Sequence, residues 1–174
     1  MTPILQVKNL QTHFFTKAGV LKAVDGVSFE IGAGEIIGLV GESGSGKSIT
    51  GFSILGLVDA PGRIVGGQIL FKGRDMTSIP PAEMQKLRGS RIAMIFQDPM
   101  MTLNPVLRIE TQMIESILTH DSSISKEEAR QRSRDTLGLV GISSPEERMR
   151  AYPHQFSGGM RQRVSIAIAM LNRP

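Results

Sequence analysis

An α/β fold is predicted, with an antiparallel β layer first, a phosphate-loop core next and a helical subdomain last. Three observations carry it. The run GESGSGKS (41–48) stands between a branched apolar run, EIIGLV (35–40), and a stretch able to continue as helix. Short β-type runs bounded by glycine turns fill the residues before it. Beyond Pro105, apolar residues recur at helical rather than alternating spacing.

Taken in order, LQVKNL (5–10) and AVDGVSFEI (23–31) read as strands of the β layer, followed by a turn at Gly32, Gly34 and Glu35. EIIGLV has the composition of a strand buried on both faces, as in a parallel sheet. A helix is expected from about Gly46 to Leu57. GGQILFKG (66–73) reads as an edge-type strand, and Pro80 and Pro81 can open a short helix through Leu87. RIAMIFQ (91–97) reads as a second buried strand. TQMIESILTH (111–120) has apolar residues at 113, 114, 117 and 118, a helical stripe. Ser125 with Glu128 forms a capping box opening a helix to about Val140, along which Glu128 and Arg132 can pair. Ser144, Pro145 and Glu147 form another box, and a last helix is expected from Gly158 to Leu171. The expected division is a nucleotide-binding core over 1–99 and a helical subdomain over 100–174.

Composition narrows the function. Hydrophobic residues make up 40% of the 174 positions and mean hydropathy is −0.02, which fits a globular protein. No apolar run approaches the ~18 residues of a membrane span, and MTPILQVKNLQ lacks the pattern of a signal peptide. There is no cysteine, so disulfides, thiolate metal sites and cysteine nucleophiles are excluded. A cytoplasmic location is the expectation. Net charge is only +4, and the densest charged stretch, KEEARQRSRD, mixes both signs. With seven Phe, one Tyr and no Trp, platforms for stacking single-stranded bases are not expected, and nucleic acid is not an expected partner. His13, His120 and His154 show no metal-ligand spacing, and packing is the expected role of His154.

Gly41, Gly46, Lys47 and Ser48 meet the spacing G-x-x-x-x-G-K-[ST] of a P-loop. Such a loop converges backbone N–H groups on one point at a helix N-terminus, where the helix dipole also favours an anion. Lys47 is placed to reach the β- and γ-phosphates, and the Ser48 hydroxyl is a Mg2+ ligand. The flanking strand and helix are the context the motif requires, so a P-loop NTPase core is expected. The expected nucleotide contacts run through Gly41, Glu42, Ser43, Gly44, Ser45, Gly46, Lys47, Ser48 and Ile49. A second glycine-rich site occurs in FSGGMRQR (156–163), where Ser157, Gly158 and Gly159 precede an apolar helix. By itself that reads as a helix cap; as an anion site it suits another molecule's nucleotide.

The ordered set GESGSGKS, IFQDP (95–99) and FSGGMRQR resembles the ATP-binding subunits of ABC transporters. GESGSGKS matches their Walker A loop, Gln97 their Q-loop glutamine, and FSGGM their signature, usually Leu-Ser-Gly-Gly-Gln. Phe156 and Met160 depart from that pattern. THFFTKAGVLKAVDGVSF (12–29), FQDPMMTLNP (96–105) and YPHQFSGGMRQRV (152–164) look like the dipeptide and oligopeptide importers, whose relatives also carry nickel or glutathione.

The resemblance implies an ATP-binding subunit, peripheral on the inner face of the cell membrane, that energises import of peptides or similar small solutes. Its implied cofactors are ATP and Mg2+. Its implied partners are a second ATP-binding subunit and transmembrane permease subunits. An aromatic side chain stacks on adenine: Phe14, or else Phe15, the other belonging to the β-layer core. Lys47 and Gln97 serve catalysis, and Gln97 also touches Mg2+. Ser157, Gly158 and Gly159, with Met160 beside them, face the partner's nucleotide. The region from Gln97 to Leu118 receives the permease's coupling helix.

One part of the family pattern is missing. No run of four apolar residues followed by Asp-Glu occurs, so the Walker B pair and the switch histidine beyond it are not found, and the core is expected to be incomplete at the C-terminus. The strand that would lie beside EIIGLV is missing with them, so unpaired apolar edges are expected. Two readings remain open: an ATPase subunit seen in its N-terminal part, and a truncated, non-catalytic nucleotide-binding fragment. A soluble ABC-type ATPase of DNA repair or translation is a third, disfavoured by the absence of sustained heptads.

Overall fold

The computed structural model describes residues 3–98 and 102–174, so Pro99, Met100 and Met101 of the FQDPMMTLNP run lie outside the described residues. The chain divides into two compact units, one reaching Gln85 and the other running from Lys86 to Pro174.

In the first unit, β1 (Leu5–Thr16) and β2 (Gly19–Ile31) form a long hairpin, joined by β3 (Gly62–Phe71) and the two-residue β4 (Arg74–Asp75). The sheet order is β2-β1-β3-β4 and every pairing is antiparallel. The predicted 5–10 and 23–31 lie inside β1 and β2 and are shorter, whereas the predicted 66–73 starts late and overruns β3, which ends at Phe71 before a turn at Lys72 and Gly73. β1 outruns LQVKNL because it has a partner on both sides as far as Phe14, opposite Leu21 and Gly62. β3 is bordered on its outer side only at Leu70 and Phe71, so most of it is a free edge. A bulge interrupts β1 at Asn9, whose φ is 47°; the Asn9 N–H donates to the Ser28 hydroxyl at 2.8 Å. Gly67 faces it with φ 82°, and a β-carbon there would stand 2.3 Å from the Asn9 carbonyl oxygen. Val7, Leu10, Val24, Leu55 and Ile69 form the buried interior.

Helix α1 (Lys47–Ile54) packs on this sheet through buried Thr50 and Ser53, and the Ser53 and Thr12 hydroxyls pair at 2.8 Å. The helix stops short of the predicted Leu57. Gly56, at φ 60°, terminates it, with Leu57 N–H donating to Phe52 O at 2.8 Å and Gly56 N–H to Ser53 O at 3.1 Å. That is the two-bond stop that a left-handed glycine permits. A 3-10 turn at Met76–Ser78 is capped by Asp75, and α2 (Pro81–Leu87) opens on proline as predicted.

The two runs predicted as buried strands are not strands. Residues 35–40 form no strand and pair in no ladder among the described residues, with Ile36 98% and Val40 93% exposed. Of 91–97, only Ile92 makes a bridge, a parallel one to Arg88, and Ile95 is 46% exposed. Branched apolar composition favours a strand, but a ladder needs a neighbour for its N–H and C=O groups. Among the described residues no strand pairs with 35–40, and the Arg88–Ile92 bridge is the one pairing of 91–97.

The second unit is helical: α3 (Ile109–Leu118), α4 (Lys126–Leu139), α5 (Pro145–Met149) and α6 (Gly158–Met170). The α3 stripe buries Ile109, Met113 and Ile117 against Leu137, Met149, Phe156 and Val164. Each such side chain taken from water contributes about 1.5–3 kcal/mol. Ser125 caps α4, its hydroxyl accepting from Glu128 N–H at 3.1 Å. The expected Glu128–Arg132 pair does not form; Arg132 instead donates to the Leu171 carbonyl at the end of α6. Ser144 is no side-chain cap either, because its left-handed backbone, φ 49°, turns the hydroxyl away from the first turn of α5. Arg130 joins three helices, hydrogen-bonded to Glu146 and 3.6 Å from Glu110.

Candidate functional site

The loop 41–48 sits between the unpaired 35–40 segment and α1, and its shape follows from three glycines. Gly46 has φ 90°, a conformation strained for any residue with a β-carbon. A β-carbon there would also stand 2.2 Å from the Ala23 carbonyl oxygen, so the loop presses directly on the backbone of β2. Gly44 has φ 82° with open space around it. Gly41 lies under the Ser45 side chain, whose Oγ would be 2.6 Å from an added β-carbon. Ser45 N–H closes the turn onto Glu42 O at 3.2 Å.

Lys47 folds back over this turn. Its Nζ donates to Gly41 O at 2.8 Å, to Glu42 O at 2.6 Å and to Ser45 Oγ at 3.3 Å. A three-donor ammonium is thereby held at the N-terminus of α1, where the first-turn N–H groups have no partner within the helix. Thr50 anchors the helix beneath, its N–H and hydroxyl both reaching Gly46 O, at 2.8 and 3.0 Å. Ser48 is exposed one residue into α1; Ile49 is half-buried and its carbonyl accepts from the Ser53 hydroxyl at 2.7 Å. Glu42 and Ser43 are exposed. The arrangement suits a polyphosphate: a glycine-rich backbone turn, a fixed cation, a helix N-terminus and an exposed hydroxyl for a metal. Among the described residues, no cluster of three or more His, Cys, Asp or Glu side chains could hold a metal by itself.

Phe14 and Phe15 have different surroundings. Phe14 is half-buried opposite Gly62, its ring filling the space of the missing side chain, 2.6 Å from where a β-carbon would stand; Val58 lies 2.8 Å from the same point. Phe15 is 39% exposed, with the Arg63 guanidinium 4.2 Å above its ring centre. Sequence reasoning missed the pairing of Phe14 with Gly62, which becomes visible only once the β1–β3 register is known.

Gln97 and the FSGGM run belong to the second unit. Gln97 is exposed in a bend. Phe156 is 3% exposed and part of the helical core, which explains how an aromatic replaces the usual leucine. Ser157 is the N-cap of α6, its hydroxyl accepting from Met160 N–H at 3.3 Å, and the Met160 side chain packs against that core. Gly158 and Gly159 are exposed, have no positive φ and would meet nothing within 4 Å if given a β-carbon. His154, expected to pack, is exposed and stacks on Tyr152 with ring centres 5.7 Å apart, because its 3-10 turn points it outward while Pro153 goes in.

Comparison with known proteins fits these motifs. The chain belongs to the ABC transporter family, whose model matches residues 24–174. Among its relatives are oligopeptide and dipeptide transport ATP-binding proteins. It is 50% identical to the oligopeptide transport ATP-binding protein AppD of Bacillus subtilis, over 100% of this chain and 53% of that protein. It is 48% identical to OppD of Escherichia coli, an oligopeptide transport ATP-binding protein, over 98% of this chain and 50% of that one. The chain thus spans about half the length of the curated relatives it matches. The fold is similar to that of the ATP-binding cassette MJ0796, described as a dimer in a post-hydrolysis state bound to ADP and Pi, with TM-score 0.87 and 26% identity over 98% of this chain and 70% of that one. The α/β P-loop class predicted from the sequence therefore holds. No helix among the described residues is long and apolar enough to cross a membrane.

Proposed function

We propose that this chain is the nucleotide-binding part of an ATP-binding subunit that powers uptake of peptides or similar small solutes. It binds ATP with Mg2+ at 41–48, working with a second ATP-binding subunit and with permease subunits in the membrane. The observation that carries the reading is the Lys47 ammonium held on the Gly41 and Glu42 carbonyls at the start of α1. The peptide assignment is supported by the relatives' names and by the resemblance of 12–29, 96–105 and 152–164.

Bound ATP supplies a phosphoanhydride whose cleavage releases free energy. The chain's own residues bind and orient it. The Gly41–Ser48 backbone N–H groups would hold the phosphates, Lys47 would neutralise them, and Ser48 would offer a ligand to Mg2+. By resemblance to the family, Phe14 would meet the base, and Gln97 would serve the attacking water and the metal.

The open surroundings of Gly158 and Gly159 support a role for Ser157–Met160 toward a partner's nucleotide. Glycine in the first turn of a helix costs up to about 1 kcal/mol relative to alanine. Among the described residues nothing demands it, which supports a reason outside the chain, a close approach to backbone N–H groups.

A second reading, binding without turnover by these residues alone, is favoured by the lack of an Asp-Glu pair after an apolar run. Peptide uptake by cells whose gene carries Lys47→Ala tests the main reading. Uptake is expected to be lost at unchanged protein level; unaffected uptake would remove the assignment.

A further inference from the structure

Two contacts fasten the phosphate loop and α1 to the β hairpin beside them. The first is made by backbone. β1 passes from Thr12, opposite Val24, to His13, opposite Lys22, so Ala23 is an extra residue in β2, a bulge whose carbonyl oxygen is the atom that Gly46 lies against. The second is made by hydroxyls. Thr12 and Ser53 are 0% and 2% exposed, and their hydroxyl oxygens are 2.8 Å apart. The Ser53 hydroxyl also reaches the Ile49 carbonyl at 2.7 Å. A carbonyl only accepts, so the single Ser53 hydroxyl proton is committed there, and Thr12 is the donor to Ser53. A buried chain from Thr12 O–H through Ser53 O–H to Ile49 C=O thus runs from β1 into the first turn of α1. Alanine is the better helix former, and a serine bonded back to its own helix gains the helix nothing. The link to Thr12 is what explains a buried hydroxyl at this position.

We infer that Thr12 and Ser53 are positioning residues for nucleotide binding: they set the span between the part of β1 that carries Phe14, on the base side, and the first turn of α1, on the phosphate side. Thr12 and Phe14 are two residues apart on β1, so their side chains leave the same face of the sheet, the face on which α1 packs. Ile49, at the far end of the hydroxyl chain, follows Ser48 directly. A ligand with both a base and a triphosphate gains fully from both ends only when their spacing is held beforehand. A ligand with phosphates alone is indifferent to that spacing. Lys47 does not depend on the pair, because its three bonds all run to Gly41, Glu42 and Ser45. The inference rests on reading 41–48 as the phosphate site and Phe14 as the base contact.

Calorimetric titration of the full chain with MgATP and with magnesium tripolyphosphate tests it. Thr12→Val keeps the shape of the side chain and leaves the Ser53 bond to Ile49 in place, so it cuts only the link between strand and helix. It is expected to weaken MgATP binding about three- to tenfold, the range that one hydrogen bond allows, and to leave tripolyphosphate binding unchanged. Thr12→Ser, which keeps the hydroxyl, is expected to retain both affinities. Thr12→Val combined with Ser53→Ala removes both hydroxyls, so neither is left buried without its partner. This double variant is expected to have a Tm close to that of the original chain and still to lose MgATP affinity; it also serves as the probe if Thr12→Val does not fold. Equal weakening of both ligands, or of neither, overturns the inference. So does a MgATP loss that vanishes in the double variant as its Tm recovers. Phe14→Ala separates the readings. Selective loss of MgATP affinity in Phe14→Ala but not in Thr12→Val keeps the base contact and sinks the inference. Selective loss in Thr12→Val but not in Phe14→Ala keeps the held spacing and removes Phe14 as the residue that meets the base. Absence of binding by either ligand sinks the phosphate-site reading and the inference with it.

Discussion

Gly46 and Ala23 are in backbone contact: a β-carbon on Gly46 would stand 2.2 Å from the Ala23 carbonyl oxygen. The phosphate loop is therefore seated on β2 with no space for any side chain between them. Gly46→Ala meets both this overlap and the strain of φ 90°, the latter alone costing about 1–3 kcal/mol. Gly44→Ala meets a comparable φ of 82° in open space. Chemical denaturation is expected to show a clearly larger loss of stability for Gly46→Ala than for Gly44→Ala. Equal losses would mean that the contact with Ala23 matters little.

Gly158 and Gly159 give the opposite expectation. Both are exposed in the first turn of α6 with nothing near an added β-carbon. Replacing either by alanine is expected to raise stability, by about 0.4–1 kcal/mol where the conformation suits both residues. On the proposed role of Ser157–Met160 toward a partner's nucleotide, the same change is expected to impair peptide uptake, because a β-carbon would stand in the way of that nucleotide. Thermal unfolding and uptake measured on one pair of variants check both halves. A stabilised variant with full uptake would mean that these glycines face nothing.

Phe14 and Phe15 are separable in the same way. Phe14 fills the gap over Gly62, so Phe14→Ala is expected to cost about 2–3 kcal/mol, at or just below the lower end of Phe→Ala losses because the ring is only half-buried. Phe15→Ala removes an exposed ring under Arg63 and is expected to change stability by about 0.5 kcal/mol or less. Competition between ATP and tripolyphosphate then tests for a base contact. A Phe14 that meets the base loses ATP affinity on truncation and keeps tripolyphosphate affinity.

Glu146 carries an acid dependence. The Arg130 guanidinium hydrogen-bonded to it holds its carboxyl below the usual Glu range. The unfolded chain therefore takes up this proton first as pH falls. The contribution of the pair is whole above the ordinary Glu value of about 4.3 and is lost as pH falls through the lower folded one. Glu146→Gln is expected to lower Tm slightly at neutral pH, the pair being largely exposed, and to flatten the fall between about pH 5 and pH 3 by that same small amount. An acid limb identical in both proteins would show that the pair does not contribute.

How much of this was legible depended on whether the signal was local. The turn at 32–35, the Ser125 cap, the proline start of α2 and the α3 stripe were all readable because each is fixed by residues a few positions apart. The P-loop was readable for the same reason. What failed was pairing. EIIGLV and RIAMIFQ carry strand composition, yet whether they join a ladder depends on a neighbour that their own residues do not specify. Arg132 turned from its expected partner Glu128 to the Leu171 carbonyl because the end of α6 is packed beside α4, a tertiary fact. The Ser144 box failed because one left-handed residue redirected a hydroxyl that the sequence pattern assumes to point inward. In the site, the motif positions could be named in advance, but the Gly46–Ala23 contact and the Phe14–Gly62 pairing needed the register of the sheet.

The measurement that bears most directly on nucleotide binding is calorimetric titration of the chain with MgATP, beside Lys47→Ala. Saturable binding to the original chain is expected, weakened at least about tenfold in Lys47→Ala, a change worth about 1.4 kcal/mol, with similar thermal unfolding of the two proteins. No binding, or equal binding by both, would contradict the assignment of 41–48 as the phosphate site.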